Sequence, residues 1–240
     1  MSLRDAGRVG PHRESHEPRL SAEKFTMLTP ETGNFEWNGC TGIGEDWGMD
    51  GNDQYGDCGA AATDHYNMAK TQQPAQYNRL GIPKYRGTLP TYFAYGISQG
   101  EPGPEPDEGV DNASWFAFLY QEGIIDGYAE VPLTMIDWFA QQFRGVVLGL
   151  QLTGPLAISE FEQKIPWSAM PLVDGHDTLL EITHADGSGS LITWGGVQAF
   201  DVAFRNTNIT DAWVVFDHDD PQVNWTELQQ ALNDIHGTDR

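Results

Sequence analysis

Two hydrophobic periods run along this chain, and the change from one to the other falls about halfway. In NASWFAFLYQEG (112–123), Trp115, Phe118, Leu119 and Glu122 recur at helical spacing, with Asp111 placed to cap and Gly123 to stop the helix. LTMIDWFAQQFRG (133–145) predicts a second helix closed by glycine, and Cys58 to about Lys70 a third, behind Asp57 as N-cap. From residue 146 the period shortens. VVLGLQL (146–152), TLLEITH (178–184), SLITW (190–194) and AWVVF (212–216) are β-branched or aromatic runs, and DGSG (186–189) is a hairpin signal between two of them. NWTELQQALNDIHG then reads as one amphipathic helix. Residues 30–57 and the stretch EPGPEPDEG (101–109) read as loop. Helices first and strands later predict an α+β fold rather than alternating βαβ units, and no internal repeat is present.

Length and charge narrow the picture. At 240 residues the chain can bury one sizeable core. No apolar run approaches the roughly 20 residues that span a bilayer, and the N-terminus lacks the apolar core of a secretory signal, so no membrane partner is expected. The formal charge is −22. Residues 1–24 hold five basic and four acidic side chains, which leaves −23 on the remainder. A body this acidic repels phosphate backbones, so nucleic acid is not an expected partner either. The first residues are polar and aperiodic. They predict an extended arm over 1–30, either a disordered tail or a strap on a neighbouring subunit, ahead of a domain at 31–220 and a C-terminal helix and tail at 221–240.

Candidate chemistry centres on NDQYGDCGAAATDHY (52–66). A thiol that opens a helix meets unpaired N–H groups and the positive end of the helix dipole, both of which favour the thiolate. Such a nucleophile needs a base and an oxyanion donor. His65 lies two helical turns beyond Cys58 and is expected to be a packed helix residue, while His184 and His218 adjoin strand ends and read as surface. His176 follows Asp174-Gly175 and begins a strand. The aromatics of WFAFLY and WFAQQF are core. The stretch DWGMDGNDQYGD has some acids of a calcium loop, but Gly48 and Asp57 stand where oxygen-rich loops need a donor and a glutamate, so neither metal nor cofactor is expected. Cys40 and Cys58 could form one bridge, although nothing demands it.

GDCGAAA, followed more than a hundred residues later by DGHDTLLEITHADGSGSLITWGG, resembles the papain-like cysteine peptidases, and Asp-Cys-Gly-x-Ala at 57–61 resembles their bacteriocin-processing members. Residues 49–217, about 70% of the chain, are similar to a family of largely uncharacterised tailed-bacteriophage proteins through NDQYGDC, His65, Gly175-His176, Thr193-Trp194-Gly195 and DAWVVF. The resemblance implies a papain-like fold with Cys58 as nucleophile and His176 as base. Asn52, six residues before the cysteine, takes the oxyanion-hole position in preference to Gln54. The orienting Asn or Asp falls at Ile192, which cannot hydrogen-bond, so a Cys-His dyad without a third member is expected. Asp177 is expected to alternate to the other face of its strand.

The implied function is hydrolysis of a peptide or amide bond by a virion-associated phage protein made in the host cytoplasm. Its substrate would be a peptide or peptidoglycan-like chain, and its arm would contact other virion proteins. The alternative is an inert minor capsid, decoration or tail component built on the same fold.

Overall fold

The computed structural model describes residues 18–39, 47–72 and 87–237. Its centre is an antiparallel sheet in the order β2 (Gly127–Glu130), β7 (Ile209–Phe216), β3 (Val147–Leu152), β4 (Asp174–Thr183), β5 (Gly189–Thr193) and β6 (Gly196–Phe200). A two-residue strand, β1 (Trp37–Asn38), pairs with the far end of β4. Helix α1 (Cys58–Thr71) packs against β4. It is followed by α2 (Thr88–Ser98), α3 (Asn112–Gln121), α4 (Ile136–Phe143), α5 (Gly154–Gln163), α6 (Val202–Asn208) and α7 (Trp225–His236). The fold is α+β, but α5, α6 and α7 lie among or after the strands, so helices are not confined to the first half.

Small residues let α1 approach the sheet closely. Gly59, Ala60, Ala61 and Ala62 are all buried along its first turn. Farther along, the Tyr66 hydroxyl donates to the carbonyls of Phe143 at 3.0 Å and Val215 at 2.8 Å. Its ring lies against Gly145, where a Cβ would come within 2.7 Å of it. Those contacts fix how α1 lies on the sheet, and therefore where Cys58 sits.

The expected C-terminal helix is present as α7, and both flanking segments pack on the central body. From Arg19 on, the N-terminal segment is stitched into the body. Glu130 N–H donates to the Leu20 carbonyl at 2.7 Å, Met27 N–H to Gln222 at 2.7 Å, and Asn224 N–H to Phe25 at 2.6 Å. Ala22 and Phe25 are buried in the common core. Burying an aromatic ring stabilises by about 1.5–3 kcal/mol, enough to hold a short segment that its polar neighbours would leave extended. Residues 1–17 of the expected arm lie outside the described residues. Helix α7 buries Leu228 and Leu232 against the same body, with Leu228 over Gly127 of β2.

Candidate active site

Cys58 lines a cleft together with the 109–112 segment and residues of three neighbouring strands. Gly149 of β3 pairs with Asp177 of β4 on one side and with Asp211 of β7 on the other, so the two aspartates flank a residue with no side chain. A Cβ on Gly149 would fall 2.5 Å from both Asp211 carboxylate oxygens. The Asn112 amide, at the start of α3, reaches between the aspartates and donates to Asp177 Oδ1 at 2.7 Å and Asp211 Oδ1 at 3.1 Å. Asp211 Oδ1 also accepts from the Trp213 indole at 2.7 Å. The cleft, which is open to solvent, has a volume of about 40 Å³, room for a few waters.

The Cys58 thiol donates to Asp177 Oδ2 at 3.6 Å. This reverses the expected phase of β4. Asp177 faces the thiol, and His176, which alternates with it, is held from the other side. His176 Nε2 is 2.6 Å from Thr193 Oγ1, and its ring stacks on Trp194 with centroids 4.9 Å apart. His176 still lines the cleft wall, and its Nδ1 is buried without a hydrogen-bond partner. The orienting position at Ile192 is apolar, as expected. Ile192 is fully buried beside Leu179, its partner across β4 and β5, but the next residue, Thr193, anchors the imidazole.

Asn52 is buried and Gln54 exposed. The Asn52 amide, however, donates to Asp57 Oδ1 at 3.3 Å and lies near the Tyr55 carbonyl at 3.5 Å, and Asn52 is not among the cleft-lining residues. Its donors are committed to Asp57. That contact also engages Asp57, which stands at the N-cap of α1 without making a side-chain cap hydrogen bond. His65 is buried, as expected of a packed helix residue, with Nε2 3.0 Å from the Gly48 carbonyl. Asp50 Oδ2 is 3.5 Å away, but burial pushes the His65 pKa down to about 4, so the contact is not an ion pair at neutral pH. Of the calcium-like stretch, Asp46 lies outside the described residues, as does Cys40. Asp50 hydrogen-bonds with Asp64 and Asp57 with Asn52, so the two do not converge. Cys58 is a free cysteine.

Burial dominates the electrostatics. It drives the Cys58 pKa well above its ordinary value, assisted by the negative charge of Asp177 and then of Asp57, while the Asp177 backbone N–H opposes the rise. The helix-start argument for a thiolate is therefore outweighed. A dipole is worth about 0.3–1 kcal/mol, less than one pKa unit, whereas full burial shifts a group by up to about 3–5 units. Burial likewise lowers the His176 pKa to about 3. Asp177 rises to about 7 through burial and then Asp211, against the stabilising hydrogen bonds from Asn112 and Cys58. At neutral pH the thiol and imidazole are both uncharged, and Asp177 is the group closest to its titration point.

No protein-family model matches the chain, and no curated protein matches it either. Among solved structures it is similar to the proform of Amb a 11, a cysteine protease and major ragweed pollen allergen. Identity is 14% over 89% of this chain, with a TM-score of 0.42. The chain spans 66% of that protein's length. A likeness this distant says nothing about activity.

Proposed function

We propose that this protein is a thiol-dependent hydrolase of peptide or amide bonds, with Cys58 as nucleophile in a papain-like arrangement. The observation that carries the reading is the Cys58–Asp177 hydrogen bond in the cleft, where a helix-start thiol meets a carboxylate on the Gly-His strand. As the sulfur attacks a carbonyl carbon, its proton passes to an acceptor on β4. Asp177 touches the thiol, and a pKa of about 7 matches a general base to neutral pH. His176, the base implied by the motif, offers Nδ1 from the adjacent position. The C–N bond then breaks as the acceptor returns that proton to the leaving amine, and water hydrolyses the thioester to free the carboxylic acid and restore the thiol. N–H groups at the start of α1 would serve as the oxyanion donors. The sequence resemblance further supports a virion location and virion-protein partners, with the inert structural component as the rival. The raised thiol pKa and the His176–Thr193 anchor favour that rival, because the resting site holds no thiolate–imidazolium pair.

Alkylation of Cys58 by a small electrophile across pH 5–10 separates these readings. Replacing Asp177 by Asn should slow alkylation at pH 7 by about tenfold or more, and replacing His176 by Gln should slow it less. A larger loss in His176→Gln would hand the proton to the histidine. If Asp177→Asn instead speeds alkylation, the aspartate only suppresses the thiolate, and the inert reading stands.

A further inference from the structure

We infer that the cleft beside Cys58 is built to receive a cation, an alkylammonium or guanidinium group, which makes the preferred substrate a peptide or amide with a basic side chain near the scissile carbonyl. The substrate half of this inference rests on the proposed hydrolase; the binding half does not. Asp111, Asp177 and Asp211 all line the cleft. Acceptors outnumber the donors that face them. The Asn112 Nδ2 group must point to Asp177 and Asp211, because carboxylates accept hydrogen bonds, and this fixes Oδ1 as the remaining acceptor. That Oδ1 is buried and has no hydrogen-bond partner. A buried acceptor left unpaired is destabilising, and a donor-rich ligand would relieve that cost.

The cleft already shows how a guanidinium fits. Arg19, the only lysine or arginine among the lining residues described, lies at the mouth with its Cζ 5.7 Å from the Trp213 ring centroid. Its Nη1 donates to Glu130 at 2.8 Å. Burial disfavours its charge, but Glu130, Asp211 and Asp111 outweigh burial and raise its pKa. An aromatic face flanked by carboxylates is the setting that binds a cation. Arg19 is tied mainly to Glu130, which leaves Asp211 and the Asn112 oxygen as acceptors for a ligand cation.

Binding of Nα-acetyl-arginine amide to the full chain, followed by titration calorimetry, tests the inference against the neutral acetyl-citrulline amide and the acidic acetyl-glutamate amide. The arginine compound should bind at least about tenfold more tightly than citrulline, since a charge-assisted hydrogen bond is worth that much. Its affinity should rise in Arg19→Ala and fall in Asp211→Asn. Asp211 also holds Trp213, so Asp111→Asn serves as a second variant that keeps a capping side chain at α3 and should likewise weaken binding. Equal binding of arginine and citrulline, preference for glutamate, or no gain in Arg19→Ala would each overturn the cation site. Cys58→Ser should retain the binding. If it does while the wild-type thiol proves inert, the cation site stands and the hydrolase fails; if the thiol is active but shows no preference for basic substrates, the reverse holds.

Discussion

The two ends of α1 bury ionisable groups in opposite ways. At the C-terminal end, Lys70 is met by the Asp217 carboxylate at 2.8 Å, Asp220 at 3.6 Å and the Val215 carbonyl at 3.0 Å. The neighbouring charges outweigh burial and raise its pKa. At the N-terminal end Cys58, Asp57 and Asp177 come together without a buried cation among the described residues, and their pKa values all rise by burial. One end holds a charge in place, while the other suppresses charge and keeps protons. Proton-holding acids beside a thiol are what proton transfer requires, and a compensated lysine at a helix C-terminus is what stability requires.

That contrast can be broken most strongly at Lys70. Replacing it by Met should cost about 2–3 kcal/mol in urea denaturation, somewhat below the loss for a fully buried pair because Asp217 is half exposed. An unchanged midpoint would make the C-terminal end no more structural than the other.

A smaller effect follows from pH. Asp57 and Asp177 have folded pKa values of about 8 and about 7, raised above the unfolded carboxylate value of about 3.9. The native state therefore holds protons that the unfolded chain has released, and stability falls as pH rises toward 8. His65 and His176, with folded values of about 4 and about 3, act oppositely, costing stability as pH drops below about 6.5. The two trends oppose each other up to about pH 7.5, but above pH 6.5 the carboxylate effect is the larger. Raising pH from 6.5 to 8 should lower the unfolding free energy by about 1–2 kcal/mol, and Asp57→Asn should flatten that slope. A slope unchanged in the variant would remove Asp57 from the explanation.

The smallest effect tests the anchor of His176. Thr193→Val should cost about 1 kcal/mol by stranding a buried ring nitrogen. It should also shift the His176 imidazole resonances in NMR spectra; unmoved resonances would mean that packing on Trp194 alone holds the ring.

What could be read from the sequence follows from where the hydrophobic pattern is one-sided. Asp111 caps α3 through the Ser114 N–H at 2.8 Å, and the DGSG turn joins β4 to β5, both as local side-chain chemistry predicts. Cys58 opening a helix and Gly175-His176 near the start of a strand were legible for the same reason. The phase of β4 was not. Both faces of that strand are largely covered and a bulge interrupts it between Leu180 and Ile182, so alternation alone gives no sign of whether His176 or Asp177 faces the thiol. Helix α5 was missed because it buries only Gly154, Ala157 and Ile158, too narrow a stripe to stand out. Residues 18–30 looked like an arm because their apolar members are few; Leu20, Ala22 and Phe25 meet the core or its edge, while Met27 and Leu28 stay exposed. Thr193 was within view, but its role depends on a pairing across strands that linear spacing does not encode.

The Tyr66 anchor makes α1 a lever. Eight residues separate it from Cys58, a rigid arm of about 12 Å at the helical rise per residue. A tilt of about 5° at the Tyr66 end would swing the sulfur by about 1 Å, enough to break or shorten its contact with Asp177. The reach of the thiol is thus set from the far side of the helix, by a tyrosine ring lying on a glycine.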